Sequence, residues 1–216
     1  MDSPLYNPPA FRVDDPDHLG RIIDTSVFGT LVCNGPGGPL VSHVPFLLDR
    51  DAGECGTLRA HLARVNPHWR HLHGQPAVVI FHGPQHYVTP SWYASKAESG
   101  KVVPTWNYVV VHVRGHARVH QDHARLRALV ESLTGRMEAE RAEPWRVSDA
   151  PENFVERMIE QIVGLDVPVE HLEGKLKLGQ NRSAADRASL AAGLQREQPE
   201  LWASLSRVRA APATDD

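Results

Sequence analysis

The chain has 216 residues, long enough for a domain with a real core, and its 26 acidic and 23 basic residues leave a formal charge of −3. That balance excludes global attraction to nucleic acid, which rests on lysine and arginine neutralising phosphates, so any DNA contact needs a local patch. Cys33 and Cys55 form no CxxC pair, no basic-flanked apolar leader opens the chain, and the apolar run Val109 to Val113 is broken by His112, so disulfide scaffolds and spanning helices are excluded and a cytoplasmic protein is expected.

Asp15 caps a first helix with Pro16 at its first position, and Leu19, Ile22 and Ile23 give it an apolar stripe ending near Thr25. Phe28 to Cys33 reads as a strand, residues 34–39 as a Gly/Pro turn and Leu40 to Leu48 as the returning strand. Thr57 to Arg64 is another strand, with Leu58, Ala60, Leu62 and Arg64 on one face and Thr57, Arg59, His61 and Ala63 on the other. Pro67 to His73 reads as a short helix or turn, and Ala77 to His82 as a strand buried on both faces and ended by Gly83-Pro84. Residues 84–107, with Tyr87, Trp92, Tyr93 and Trp106, read as a long, ordered aromatic loop.

From Val109 to His120 apolar and polar residues alternate over twelve positions, the clearest strand in the chain. Asp122 caps a helix marked by Leu126, Leu129, Val130, Leu133 and Met137. Asp149 and Glu152 give a capping-box signature for a helix stopped by Gly164, Leu165 to Glu173 reads as a last strand, and Ser183 with Asp186 opens a final helix to about Leu194. Strands gathered in the first 120 residues and helices after them predict a closed or nearly closed antiparallel barrel flanked by helices. The expected domain covers residues 1–200, with 201–216 a loosely held tail.

Three stretches carry candidate chemistry. Lys175 and Lys177 alternate on an extended segment, which puts both ammonium groups on one face, and Gln180 and Asn181 follow with amides that suit the edge of a heterocycle. Charged turns before a helix also arise for purely structural reasons. Arg64 ends a strand close to Asn66, His68 and Arg70, and its planar fork matches a phosphate, although these residues also suit a plain surface. The aromatic stretch offers Trp106 and Asn107 for stacking and edge contacts, while most of its rings suit packing or a subunit interface. Thirteen histidines invite a metal hypothesis, but there is no HExxH, no cysteine partner and no carboxylate at a fixed offset, so no metal is expected. The GxGxxG, P-loop and GxSxG patterns are absent too, and no catalytic residue is assigned.

Taken in order, FGTLV (28–32), SHVPFLL (42–48), HLARVNPHW (61–69), FHGPQHYVTPSWY (81–93), KVVPTWNYVVVHVRG (101–115), PW (144–145) and GKLKLGQNRSAADR (174–187) resemble the PaiB family of FMN-binding proteins, often labelled negative transcriptional regulators. The resemblance implies a mainly β fold with flanking helices, a six-stranded antiparallel split barrel, working as a homodimer with FMN contacted by both subunits. It implies that Arg64 and Asn66 hold the phosphate, that Thr30 and His43 lie beside it on the barrel strands, and that Lys175, Lys177, Gln180 and Asn181 approach ring or phosphate. The chain departs from the family's GKWKLSQN segment at Leu176 and Gly179, losing one ring and one hydroxyl. The implied function is that of a flavin-binding regulator or redox sensor, with an FMN-dependent oxidoreductase or a haem-binding or haem-degrading enzyme as the alternative. Direct sequence-specific DNA binding is expected to be absent or to need another protein, because the one basic stripe, Arg114 and Arg118 among His112, His116 and His120, relies on neutral imidazoles.

Overall fold

Alternation of apolar and polar residues sets most strand positions in this chain, and turn chemistry sets where they stop. The computed structural model describes residues 5–209. A short strand β1 (Arg12–Val13) precedes α1 (Pro16–Thr25), which buries Leu19, Ile22 and Ile23 as the stripe requires. β2 (Phe28–Gly35) and β3 (Gly38–Pro45) form the expected hairpin, tightened by Gly38 at a φ of +119° that favours glycine. The returning strand does not run unbroken to Leu48. Pro45, which has no N–H for a ladder, ends β3, and a separate β4 (Leu47–Asp49) pairs with β5 (Thr57–Ala63). Between them Phe46 turns inward and meets Phe81 edge-on, the centroids 5.8 Å apart.

A 3-10 turn at Pro67–His71 leads to β6 (Pro76–Val88), which passes through Gly83-Pro84 instead of stopping there. Gly83 lets the backbone come close to Val109, where a Cβ would press on that side chain. The aromatic stretch is therefore not one loop. It supplies the end of β6, a one-turn α2 (Ser95–Ser99) and the start of β7 (Thr105–His116), because aromatic residues suit strands without leaving an alternation to read. β8 (Arg118–His120) follows, then α3 (His123–Glu138), whose cap Asp122 accepts from Arg125 N at 2.8 Å.

α4 (Glu152–Ile159) lacks the expected capping box. Asp149 accepts from Arg146 N at 2.9 Å in a preceding 3-10 turn, and Pro151 takes the position before the helix. Gly164 does not stop α4. It sits inside β9 (Ile162–Pro168), which with β10 (His171–Lys177) replaces the single last strand. α5 (Ala184–Glu197) is capped by Ser183, which accepts from Asp186 N at 3.1 Å, and α6 (Pro199–Arg209) buries Leu205. Ala210 onward, within the expected tail, lies outside the described residues.

The chain passes repeatedly between two compact units. Among the described residues, one comprises 5–25, 82–111 and 173–209, and orders its strands β1-β10-β7-β6; the other comprises 26–81 and 112–172. This second unit carries the ladder β6-β2-β3 and a four-stranded sheet β4-β5-β9-β8. Its core holds Leu58, Leu62, Val163, Leu165 and Val167, and a satellite of Leu126, Val147, Val155 and Ile159 joins α3 to α4. The chain is mainly β with flanking helices, as expected, but its sheets are open where a closed or nearly closed barrel is the simplest reading of the strand count. β4 and β8, three residues each, are edges too short to pair across a closure.

Candidate functional site

Register decides which of the expected residues meet. Thr30 and His43 are direct partners across β2 and β3, with Thr30 Oγ1 and His43 Nδ1 3.1 Å apart. Phe28 stacks beside the imidazole at 6.4 Å and 26°. Their alternation partners Val32 and Val41 share the face, as do Val78 and Ile80 on β6, register partners of Val32 and Thr30. Phe28 is 65% exposed and Val41 53%, so the second unit turns an apolar sheet face outward with one hydroxyl–imidazole pair upon it. A flat, hydrogen-bonding ring system fits such a platform.

Asn66 lies on a different side. Its Oδ1 accepts from His68 N at 3.0 Å, and its Nδ2 donates to Ser42 Oγ at 3.1 Å. Ser42 in turn is 2.8 Å from His68 Nδ1, whose other nitrogen is 3.1 Å from Cys33 Sγ. This buried network ties β2, β3 and the 3-10 turn together. Burial, and then His71, hold His68 below the ordinary histidine range, and burial pushes the Cys33 thiol up. Ser42, His68 and Cys33 are linked only through pairing register, so no sequence motif announces them.

Arg64 is half-buried at the end of β5. Its Nε donates to the Glu160 carbonyl at 2.6 Å, Nη2 to the Ile162 carbonyl at 3.0 Å and Nη1 to Gln121 Oε1. A guanidinium has five N–H groups, so two remain while the fork is held rigidly. The second-unit residues thus form a pair, Thr30 with His43, and two separate anchors, Asn66 and Arg64.

The first unit gathers the rest. Lys175 is buried, donates to the Tyr6 carbonyl at 2.6 Å and lies over the rings of Tyr6 and Tyr108. Lys177 donates to Thr105 Oγ1 at 2.7 Å. Asn107 is buried with its Nδ2 unpartnered among the described residues, a donor that suits an added acceptor. Trp106 is exposed and meets Tyr87 edge-on at 6.3 Å. Gln180 folds back, its Oε1 accepting from Leu178 N at 2.7 Å and its Nε2 donating to the Leu176 carbonyl, whereas Asn181 is exposed. Lys175 and Gln180 therefore serve their own backbone, and Lys177, Asn107 and Asn181 keep more capacity for a ligand.

The fold is that of split-barrel flavin and haem proteins. The FAD and heme binding protein from Mycobacterium smegmatis superposes with a TM-score of 0.58 at 19% identity, over 84% of this chain and 80% of that one. The flavocytochrome Anf3 from Azotobacter vinelandii gives 0.56 at 17% identity, over 82% and 75%. A family model described as "Putative FMN-binding domain" matches residues 5–171. "Protease synthase and sporulation protein PAI 2" of Bacillus subtilis is 30% identical over 90% of this chain and 91% of its own, and an uncharacterized protein of Aspergillus fumigatus is 34% identical over 82% and 85%. The chain belongs to the PaiB-type family of FMN-binding domains.

Proposed function

We propose that this chain binds FMN as a homodimer and acts as a flavin-dependent regulator rather than a turnover enzyme. The observation that carries the reading is the outward apolar face of β2, β3 and β6, where Thr30 and His43 stand among Phe28, Val32, Val41 and Ile80. Apolar surface of that kind calls for cover, and a ring system beneath a second subunit provides it. Bound FMN would supply redox chemistry; the residues bind and orient it. Thr30 and His43 meet the ring's polar edge, and Arg64 offers its two remaining N–H groups to the phosphate. Asn66 holds the turn behind Arg64. The regulatory half is supported by the Bacillus relative's name, which links that protein to protease synthesis and sporulation.

The test is FMN titration followed by absorbance, with oligomeric state measured by light scattering. Yellow dimers, and monomers that lose flavin on Val41→Asp, are the expected result. A colourless monomer at saturating FMN refutes the proposal. Rapid bleaching by NADH or NADPH replaces the regulator with a reductase, and a Soret band on haem addition without any flavin shift replaces FMN with haem.

A further inference from the structure

Within the first unit, residues of α1, β10, α5 and α6 line a cavity of about 380 Å³, near the small end of the roughly 300–1,000 Å³ common for ligand sites. Its apolar lining is Leu176 from β10, Leu178 from the turn that follows and Leu190 from α5, all buried. Its polar lining is basic: Arg187 comes from α5, Arg209 from α6 and His18 from α1.

Both arginines are fastened to the same turn. Gly179, at a φ of +83° that favours glycine, lets the chain fold back after β10. Arg209 Nη2 donates to the Leu178 carbonyl at 3.0 Å, and Arg187 Nη1 donates to the Gln180 carbonyl at 3.3 Å. Two carbonyls of one short turn therefore hold guanidinium groups from two helices, and each group keeps four of its five N–H donors. His18 is fixed as well. The Val208 carbonyl can only accept, so Nε2 carries the proton in their 2.6 Å contact.

The protein answers these cations with no acid. Carboxylates are absent from the cavity lining, and neither arginine forms an ion pair among the described residues. Asp186, next to Arg187 in the chain, is buried and accepts from Ser95 N and Ser95 Oγ, both at 2.9 Å. His86 on β6 feels the charge of Arg209 and is buried with both ring nitrogens unpartnered among the described residues. Burial, and then Arg209, hold it below its ordinary range, so it is a neutral ring at pH 7. Burial also holds Arg209 below its ordinary value, although part of the side chain reaches solvent. Two like charges gathered beside buried leucines repel each other, and a dianion between them turns that repulsion into attraction. A phosphate monoester is close to doubly charged above its second pKa of about 6, whereas a carboxylate matches only one guanidinium.

We propose that this cavity binds a small phosphate monoester with a short apolar body, independently of flavin. Arg187 and Arg209 hold the head, and Leu176, Leu178 and Leu190 receive the body.

The test is isothermal titration of the purified protein at pH 7.5, with and without excess FMN, using monoalkyl phosphates from ethyl to hexyl and the n-alkyl carboxylates of matching length. Saturable binding of the phosphates is expected, tightening about fourfold per methylene until the cavity is full and unchanged by FMN. The carboxylates should bind about tenfold more weakly or worse. Arg187→Gln and Arg209→Gln should each weaken phosphate binding by about tenfold or more. Arg187 is exposed, so its substitution carries the test even if Arg209→Gln fails to fold, and a melting curve shows which variants are native. Arg187→Lys, which keeps the charge and loses the fork, should fall between wild type and Arg187→Gln. Absence of saturable heat at concentrations up to roughly 10 mM, carboxylates that bind as tightly as phosphates, affinity unmoved by Arg187→Gln, or competition with FMN would each overturn the proposal.

Discussion

Replacing Arg64 by alanine separates its two possible jobs. As a clamp, the guanidinium gives up three hydrogen bonds, to the carbonyls of Glu160 and Ile162 and to Gln121. The site is half-exposed, so water re-solvates both carbonyls and each bond is worth about 0.5–1 kcal/mol, giving roughly 1.5–3 kcal/mol in all. For a chain of this size, at about 2–4 °C per kcal/mol, the melting temperature falls by roughly 3–12 °C. As a phosphate ligand, the same residue loses a charge-assisted contact of about 1.5–3 kcal/mol, a weakening of FMN binding of roughly 10- to 150-fold. Thermal melts without flavin read the first effect, and FMN titration well below the melting point reads the second. An unchanged melting temperature refutes the clamp; a lowered melting temperature with unchanged FMN affinity leaves Arg64 as a clamp alone and removes it from the cofactor site.

A methyl group at Gly115 would overlap the Pro168 carbonyl oxygen, and backbone cannot swing aside. Gly115→Ala should therefore cost about 3 kcal/mol, the upper end of overpacking penalties, read as a fall in the urea midpoint at constant slope; a wild-type midpoint would contradict the packing. His68 is held neutral by burial, so its folded pKa lies below its unfolded one. Above the unfolded value near 6.5 it contributes nothing; as pH falls through that value the unfolded chain takes up a proton the native state refuses, and stability drops until the folded pKa is passed. His68→Gln should lose less stability than wild type between pH 7.5 and pH 5, and identical losses would place the acid sensitivity elsewhere. Cys55 is exposed whereas Cys33 is buried with its thiol pushed up, so a disulfide reagent should modify Cys55 quickly and Cys33 only in denaturant. Fast reaction of both thiols in the native protein would mean that the Cys33–His68 network opens.

What was legible in the sequence follows how local each signal is. α1, the β2–β3 hairpin and α3 were readable because Pro16, the Gly/Pro turn and Asp122 act on their immediate neighbours. Gly83-Pro84 predicts a strand end at His82 because that pair usually stops one, and only the close approach of Val109 shows why β6 continues. Gly164 resembled a helix stop for the same reason: its true partner, His120, lies 44 positions away across β8 and β9. Thr30 and His43 enter together through the family resemblance alone, and their direct pairing depends on a register that the turn sets. Alternation puts Arg59 on one face of β5 with Thr57, His61 and Ala63, but its meeting with Asp166 depends on the register with β9; an aspartate amid Val163, Leu165 and Val167 is the one local signal of an unusual strand.

The second unit reverses the usual placement on both of its strand systems. An antiparallel sheet normally turns its polar face to water and its apolar face to a helix. Here β2 and β3 present Phe28, Val32 and Val41 outward, whereas β5 and β9 turn Arg59 and Asp166 beneath α3. Each reversal lowers the stability of an isolated subunit, one by hydrating apolar surface and the other by desolvating charge. Neither is a by-product of the other, because the two sets of residues lie on different strands with their own pairing partners. The two reversals are therefore separate features of the second unit, one an apolar face left to water and the other an ion-pair layer withdrawn from it.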